Sequence, residues 1–149
     1  REAYAWYFYI ESEDRMMIDP SAAAKASELL IQKLGYEELP KILIGFSQGG
    51  FFAPYLASRI QNVKEVVAIG AGYRSDFYPT NQNWKITAIH GSNDSMFPID
   101  NTRRAHQKIL QQGYSGEFIE IPSLAHEVSA ELGSITTERI LALNLKNKN

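Results

Sequence analysis

Gly45-Phe46-Ser47-Gln48-Gly49 carries the pattern G-x-S-x-G. A serine hydroxyl is a weak nucleophile until a neighbouring base takes its proton, and glycines flanking it let the chain turn sharply enough to lift it clear of the backbone. Alone, the pattern arises by chance in roughly one of twenty chains of this length. A plain strand-to-helix corner with a capping serine would read the same way. The setting sharpens it. Residues 41–45 (KILIG) form a short apolar run suited to a strand buried on both faces, and 51–60 follow a helical pattern. Ser47 then sits on a strained turn at a helix start, where backbone N–H groups favour an anion, and the Gln48 N–H is the oxyanion donor by position.

A base and an acid are needed next, and the chain has three histidines. His106 lies among Arg103, Arg104, Gln107 and Lys108, which predicts a solvated helix face. His90 ends a strand before Gly91 and reads as structural. His126 follows the predicted strand 117–121 in a loop. By itself it would pass for an ordinary loop histidine, but sites in open α/β sheets gather at the carboxyl ends of strands, which makes it the candidate base. Asp94 lies four residues beyond the predicted strand 85–90 and is the candidate acid, placed to accept the second imidazole N–H and fix the tautomer. Asp100 competes, but an acid in a helix's first turn is already explained by the dipole. Asp76 is a weaker rival. The order Ser47…Asp94…His126 is that of α/β-hydrolases and differs from the orders of chymotrypsin-like and subtilisin-like proteases.

These residues need a scaffold, and the chain alternates short apolar runs with amphipathic ones. Strands are predicted at 3–10, 41–45, 66–71, 85–90 and 117–121. Helices are predicted from Pro20 to Gly35, at 51–60 with Pro54 forcing a kink or late start, at 98–112 and at 135–146. The first helix should bury Ala23, Ala26, Leu30 and Leu34, the third Ile99, Thr102, Ala105 and Ile109. Residues 72–83 read as loop. The class is α/β, a parallel sheet with helices on both faces and right-handed crossovers. With 149 residues and 44% hydrophobic content, one domain spanning 1–149 is expected. A net charge of −2 argues against nucleic acid or an anionic membrane as the main partner, and no apolar run approaches a membrane span. The chain has no cysteine, which excludes a disulfide framework, a thiolate zinc site and a cysteine nucleophile.

Taken together, Gly45-Phe46-Ser47-Gln48-Gly49-Gly50, His90-Gly91-Ser92-Asn93-Asp94 with Pro98, and His126-Glu127-Val128 resemble the phospholipase/carboxylesterase family, which includes acyl-protein thioesterases and small bacterial carboxylesterases. The aromatic stretch around Ala5-Trp6-Tyr7 is similar to the family's segment between the early strands and the helix that precedes the elbow. The resemblance implies an α/β-hydrolase fold without a large lid, hydrolysis of esters or thioesters, and Ser47, Asp94 and His126 as nucleophile, acid and base. Members also carry three further strands and a helix before the aromatic segment, with a second oxyanion donor among them. The chain is therefore expected to be the C-terminal portion of a longer enzyme, poorly soluble and nearly inactive alone.

The expected substrate is a small-molecule or acyl-chain ester, with no cofactor and no metal. Trp6, Met96 and Phe97 are candidate pocket residues, although the aromatic run around Trp6 would equally serve as core. The oligomeric state is left open, a homodimer included. No leader of basic then apolar residues opens the chain, so a cytoplasmic location is expected. The rival reading is a non-catalytic scaffold of the same fold that binds a small apolar ligand.

Overall fold

β-branched and apolar runs become strands, and the stretches between them become helices that cover the sheet. The structure, a computed structural model, describes residues 9–12, 15–73 and 83–146. A short antiparallel hairpin comes first, β1 (Tyr9–Ser12) with β2 (Arg15–Ile18). The strand expected over 3–10 lies mostly outside the described residues, as do Trp6, Asp76 and most of the 72–83 loop. The main sheet is parallel, in the order β3 (Lys41–Phe46), β4 (Val63–Ile69), β5 (Lys85–Gly91), β6 (Phe118–Ile121).

Both faces of that sheet are covered. On one, Val66, Ala68 and Ile86 meet Ala53 and Ala57 of α2 (Gln48–Ala57) and Ile109 of α3 (Ile99–Gln111). On the other, Val67, Ile69, Ile89 and Ile121 meet Leu132 of α4 (Ala130–Lys146). α4 is also pinned by charge. Arg139 donates to Glu65 (2.8 Å) and Thr87 (3.2 Å), and pairs with Glu117 at 2.7 Å. Burial opposes the guanidinium's charge, but the carboxylates prevail and raise its pKa further.

α1 (Ser21–Lys33) starts where Asp19 accepts the Ser21 N–H (2.9 Å). It stops at Gly35, whose φ of +70° lets the Gly35 and Tyr36 amides return to the Gln32 and Ile31 carbonyls. Its expected apolar stripe is corrected. Ala24 is buried against Phe52 and Leu56 of α2, whereas Leu30 and Leu34 are more than half exposed. The helix is turned so that a small residue makes the close approach.

α2 is also corrected. It begins at Gln48, three residues earlier than expected, and runs through Pro54. Proline has no N–H for the carbonyl four residues back, here that of Gly50. Burial of Phe52, Ala53, Leu56 and Ala57 outweighs that loss.

Candidate active site

The carboxyl ends of β3, β5 and β6 deliver the three residues singled out by chemistry. After β3 the chain turns at Ser47, which has φ 51° and ψ −118°, a region that side chains rarely occupy. The turn has no room for other side chains. A Cβ on Gly45 would overlap the Gly49 carbonyl, and one on Gly50 would press against Ala71. The Ser47 N–H is tied to the Ile69 carbonyl of β4 at 2.8 Å. Ser47 is the residue preceding α2, so the Gln48 amide stands in the helix's first turn.

Asp94 follows β5 in a turn closed on itself. Its Oδ1 accepts the Met96 and Phe97 amides, each at 2.9 Å. Its Oδ2 faces His126 Nδ1 at 2.8 Å, with the carboxylate 1% exposed. Burial works against its charge. The His126 hydrogen bond, the Phe97 amide and the nearby imidazoles outweigh burial and lower its pKa.

The loops after β5 and β6 are bound together. Ser92 Oγ accepts the Ser123 N–H (2.8 Å), and the Leu124 carbonyl accepts the Asn93 N–H (3.0 Å). That tie brings His126 over the sheet, with Nε2 2.9 Å from Ser47 Oγ. Because a carboxylate only accepts, His126 Nδ1 carries the proton and Nε2 is the acceptor for the serine hydroxyl. Serine, histidine and aspartate form one continuous relay.

Several contacts to His126 escaped the sequence reading. The rings of Phe46 and Phe97 stand 5.0 and 5.5 Å from the imidazole and fix its plane from two sides. Gly70, at φ +51°, lies beside the ring: a Cβ there would touch the imidazole at 3.4 Å and sit tighter, at 3.2 Å, against Phe46. Phe46 sat inside the serine motif and Gly70 inside the predicted strand 66–71, but neither position names its neighbour. His90 reaches the Phe97 carbonyl at 2.7 Å, a junction role in keeping with its place at a strand end.

His106 is the clear correction. It is 2% exposed, faces the sheet from α3, and lies 2.6 Å from the Tyr73 hydroxyl through Nδ1. The buried stripe of α3 is Thr102, His106 and Ile109, rotated from the expected one so that the imidazole packs edge-on to the Phe118 ring at 5.7 Å. Burial lowers the His106 pKa and raises that of Tyr73.

Asp100 is exposed and paired with Arg103 at 3.0 Å, away from the relay. Of the candidate pocket residues, Met96 is 62% exposed, and Phe97 lines a cleft of about 230 Å³ with Gly72, Tyr73 and Ala105. A larger hollow of about 540 Å³, bordered by Lys25, Glu28, Lys41 and Arg59, lies at the opposite end of β3 from Ser47. Among the described residues no cluster of three or more His, Asp or Glu is placed to hold a metal. No described helix is long and apolar enough to cross a membrane.

A parallel sheet with helices on both faces, crossing over in this order, is the fold of an α/β-hydrolase. The chain belongs to the phospholipase/carboxylesterase family, whose sequence profile matches residues 6–138. No curated protein sequence matches it. Among solved structures, Zea mays acyl-protein thioesterase 2 is similar at 17% identity and TM-score 0.70, over 93% of this chain and 71% of that one. A variant of Arabidopsis thaliana SOBER1 is similar at 22% identity and TM-score 0.69, over 93% and 73%. Esterase PE8 is similar at 18% identity and TM-score 0.67, over 90% and 68%.

Proposed function

We propose that the protein is a serine hydrolase of carboxylic esters or thioesters, of the carboxylesterase, lysophospholipase or acyl-protein thioesterase type. The observation that carries this reading is the relay of Ser47 Oγ to His126 Nε2 (2.9 Å) and His126 Nδ1 to Asp94 Oδ2 (2.8 Å) at the carboxyl ends of parallel strands. Ser47 Oγ attacks the carbonyl carbon as its proton passes to His126 Nε2. Asp94 stabilises the imidazolium, and the Gln48 N–H at the start of α2 meets the negative oxygen. His126 then protonates the departing alcohol or thiol, leaving an acyl-serine. Water, deprotonated by His126, attacks the acyl carbon, and the proton returns to Ser47 as the acid leaves. The reaction as written consumes only ester and water. Phe97 and Met96 are assigned to the substrate side of the relay.

The test, run on the full-length protein, combines a fluorophosphonate probe with p-nitrophenyl esters of increasing chain length. Wild type is expected to label at Ser47 and to hydrolyse at least one ester. Ser47→Ala is expected to lose labelling and about 10⁴–10⁶ in kcat with the fold intact by circular dichroism. An unreactive wild-type serine, or a variant within tenfold of wild type, overturns the reading.

A further inference from the structure

His90 takes no part in the reaction written above, yet it is built into the same turn. The side chain is 1% exposed, with Nε2 2.7 Å from the Phe97 carbonyl and 3.5 Å from Asp94 Oδ2. A carbonyl oxygen only accepts, so Nε2 carries the proton and donates it to Phe97. The Phe97 backbone is therefore held on both sides, its N–H on Asp94 Oδ1 at 2.9 Å and its C=O on His90. Its ring packs 5.5 Å from His126 and 5.3 Å from Phe51. One residue thus touches the carboxylate through its amide and the imidazole through its ring, and His90 is what holds its carbonyl.

The other nitrogen makes the choice of histidine informative. His90 Nδ1 is buried with no hydrogen-bond partner among the described residues, beside the Phe118 ring at 6.3 Å. A buried polar atom left unsatisfied costs stability, and an apolar side chain of similar size would avoid that cost. What the imidazole adds at this position is the single N–H on Phe97.

We propose that His90 is a positioning residue, which locks the 94–97 turn so that Asp94 keeps Oδ2 on His126 Nδ1. The inference rests on the proposed roles of Ser47, Asp94 and His126. Without the Nε2–H donor the Phe97 peptide is released, the amides that align Oδ1 drift, and the carboxylate turns away from the imidazole. An imidazolium that loses its carboxylate is less stable, so His126 takes up its proton at a lower pH.

The experiment uses the full-length protein as wild type, His90→Leu and His90→Gln. Leucine removes the donor, and glutamine presents an amide N–H at the reach of Nε2. The pH titration of the His126 ring is followed by two-bond proton–nitrogen NMR correlations. In parallel, kcat and KM are measured on a p-nitrophenyl ester and unfolding by circular dichroism. His90→Leu is expected to protonate His126 at a lower pH than wild type and to lose about tenfold to a hundredfold in kcat with little change in KM. His90→Gln is expected to restore the wild-type titration and most of kcat. If His90→Leu does not fold, His90→Asn, too short to reach Phe97, takes its place with the same expectation. An unchanged His126 titration in a folded donor-less variant overturns the proposal, whatever its melting temperature. If wild type hydrolyses no ester, the titration alone decides. A shift then upholds the positioning role while the hydrolase reading falls.

Discussion

The two oxygens of Asp94 face in different directions and do different things. Oδ1 is occupied by two backbone amides, so the carboxylate cannot rotate without breaking both, and Oδ2 is left for His126. Asp94→Asn tests that division. The amide oxygen can keep the backbone contacts, but the NH2 then faces His126 Nδ1 and drives the ring proton to Nε2, where it can no longer accept from Ser47. A loss of about 10⁴ in kcat with unchanged melting is expected, measured by steady-state hydrolysis of a p-nitrophenyl ester. Asp100→Asn, at an exposed ion pair, is expected to stay within about twofold. The reverse pattern would move the acid to Asp100. The sequence distinguished these two aspartates because one had an explanation in a helix's first turn and the other had none. It could not reveal Phe46, Gly70 or Phe97 around His126, since those contacts join loops from different strands and leave no periodic trace.

α3 shows how an element can be recognised while its orientation is missed. Ile99, Thr102, Ala105 and Ile109 define one stripe, yet a small rotation brings Thr102, His106 and Ile109 inward. His106 looked solvated because four polar residues surround it in sequence, and only the Tyr73 hydroxyl and the Phe118 ring reveal why a polar ring goes inside. The helix stop at Gly35 was legible because a left-handed residue is a local requirement. The rotation of α1 about Ala24 was not, because it depends on Phe52 and Leu56 across the chain. Burial of His106 has a consequence for stability. Its pKa is lowered in the fold, so below the unfolded value of about 6.5 the unfolded chain binds a proton that the folded chain refuses. Stability contributed by the neutral ring is therefore lost as pH falls from that value toward the lowered folded one. Melting temperature is expected to drop between pH 7.5 and 5.5, and to drop less in His106→Asn, whose carbonyl can still accept from Tyr73. Equal drops would mean that His106 is charged in the fold.

At the scale of the molecule, one side of the sheet is open among the described residues. Among the described residues β3 pairs only with β4, Ile44 is 40% exposed, and a groove of about 410 Å³ runs between β3 and α2 beside Leu43 and Phe52. The parallel sheet itself was readable from the alternation of strand and helix. The β1–β2 hairpin was not, since its two four-residue strands carry no alternation that marks a turn. An unpaired apolar strand edge is a template for another chain. The 149-residue chain is expected to self-associate with rising concentration, as followed by light scattering. Ile44→Lys is expected to suppress this, because a charge on an edge strand opposes pairing. Scattering unchanged by the lysine would place the association elsewhere.

The backbone at Ser47 is held where glycine would be at ease, at φ 51° and ψ −118°. A residue kept in such a region costs on the order of 1–3 kcal/mol, which the surrounding structure must sustain. Ser47→Gly is therefore expected to melt at a higher temperature than wild type, while Ser47→Ala, with its Cβ retained, melts close to wild type. Equal melting of all three in a calorimeter would show the turn to be relaxed. If the glycine variant is the sturdier molecule, durability and a hydroxyl at this corner are mutually exclusive, and selection for heat resistance alone would remove the hydroxyl first.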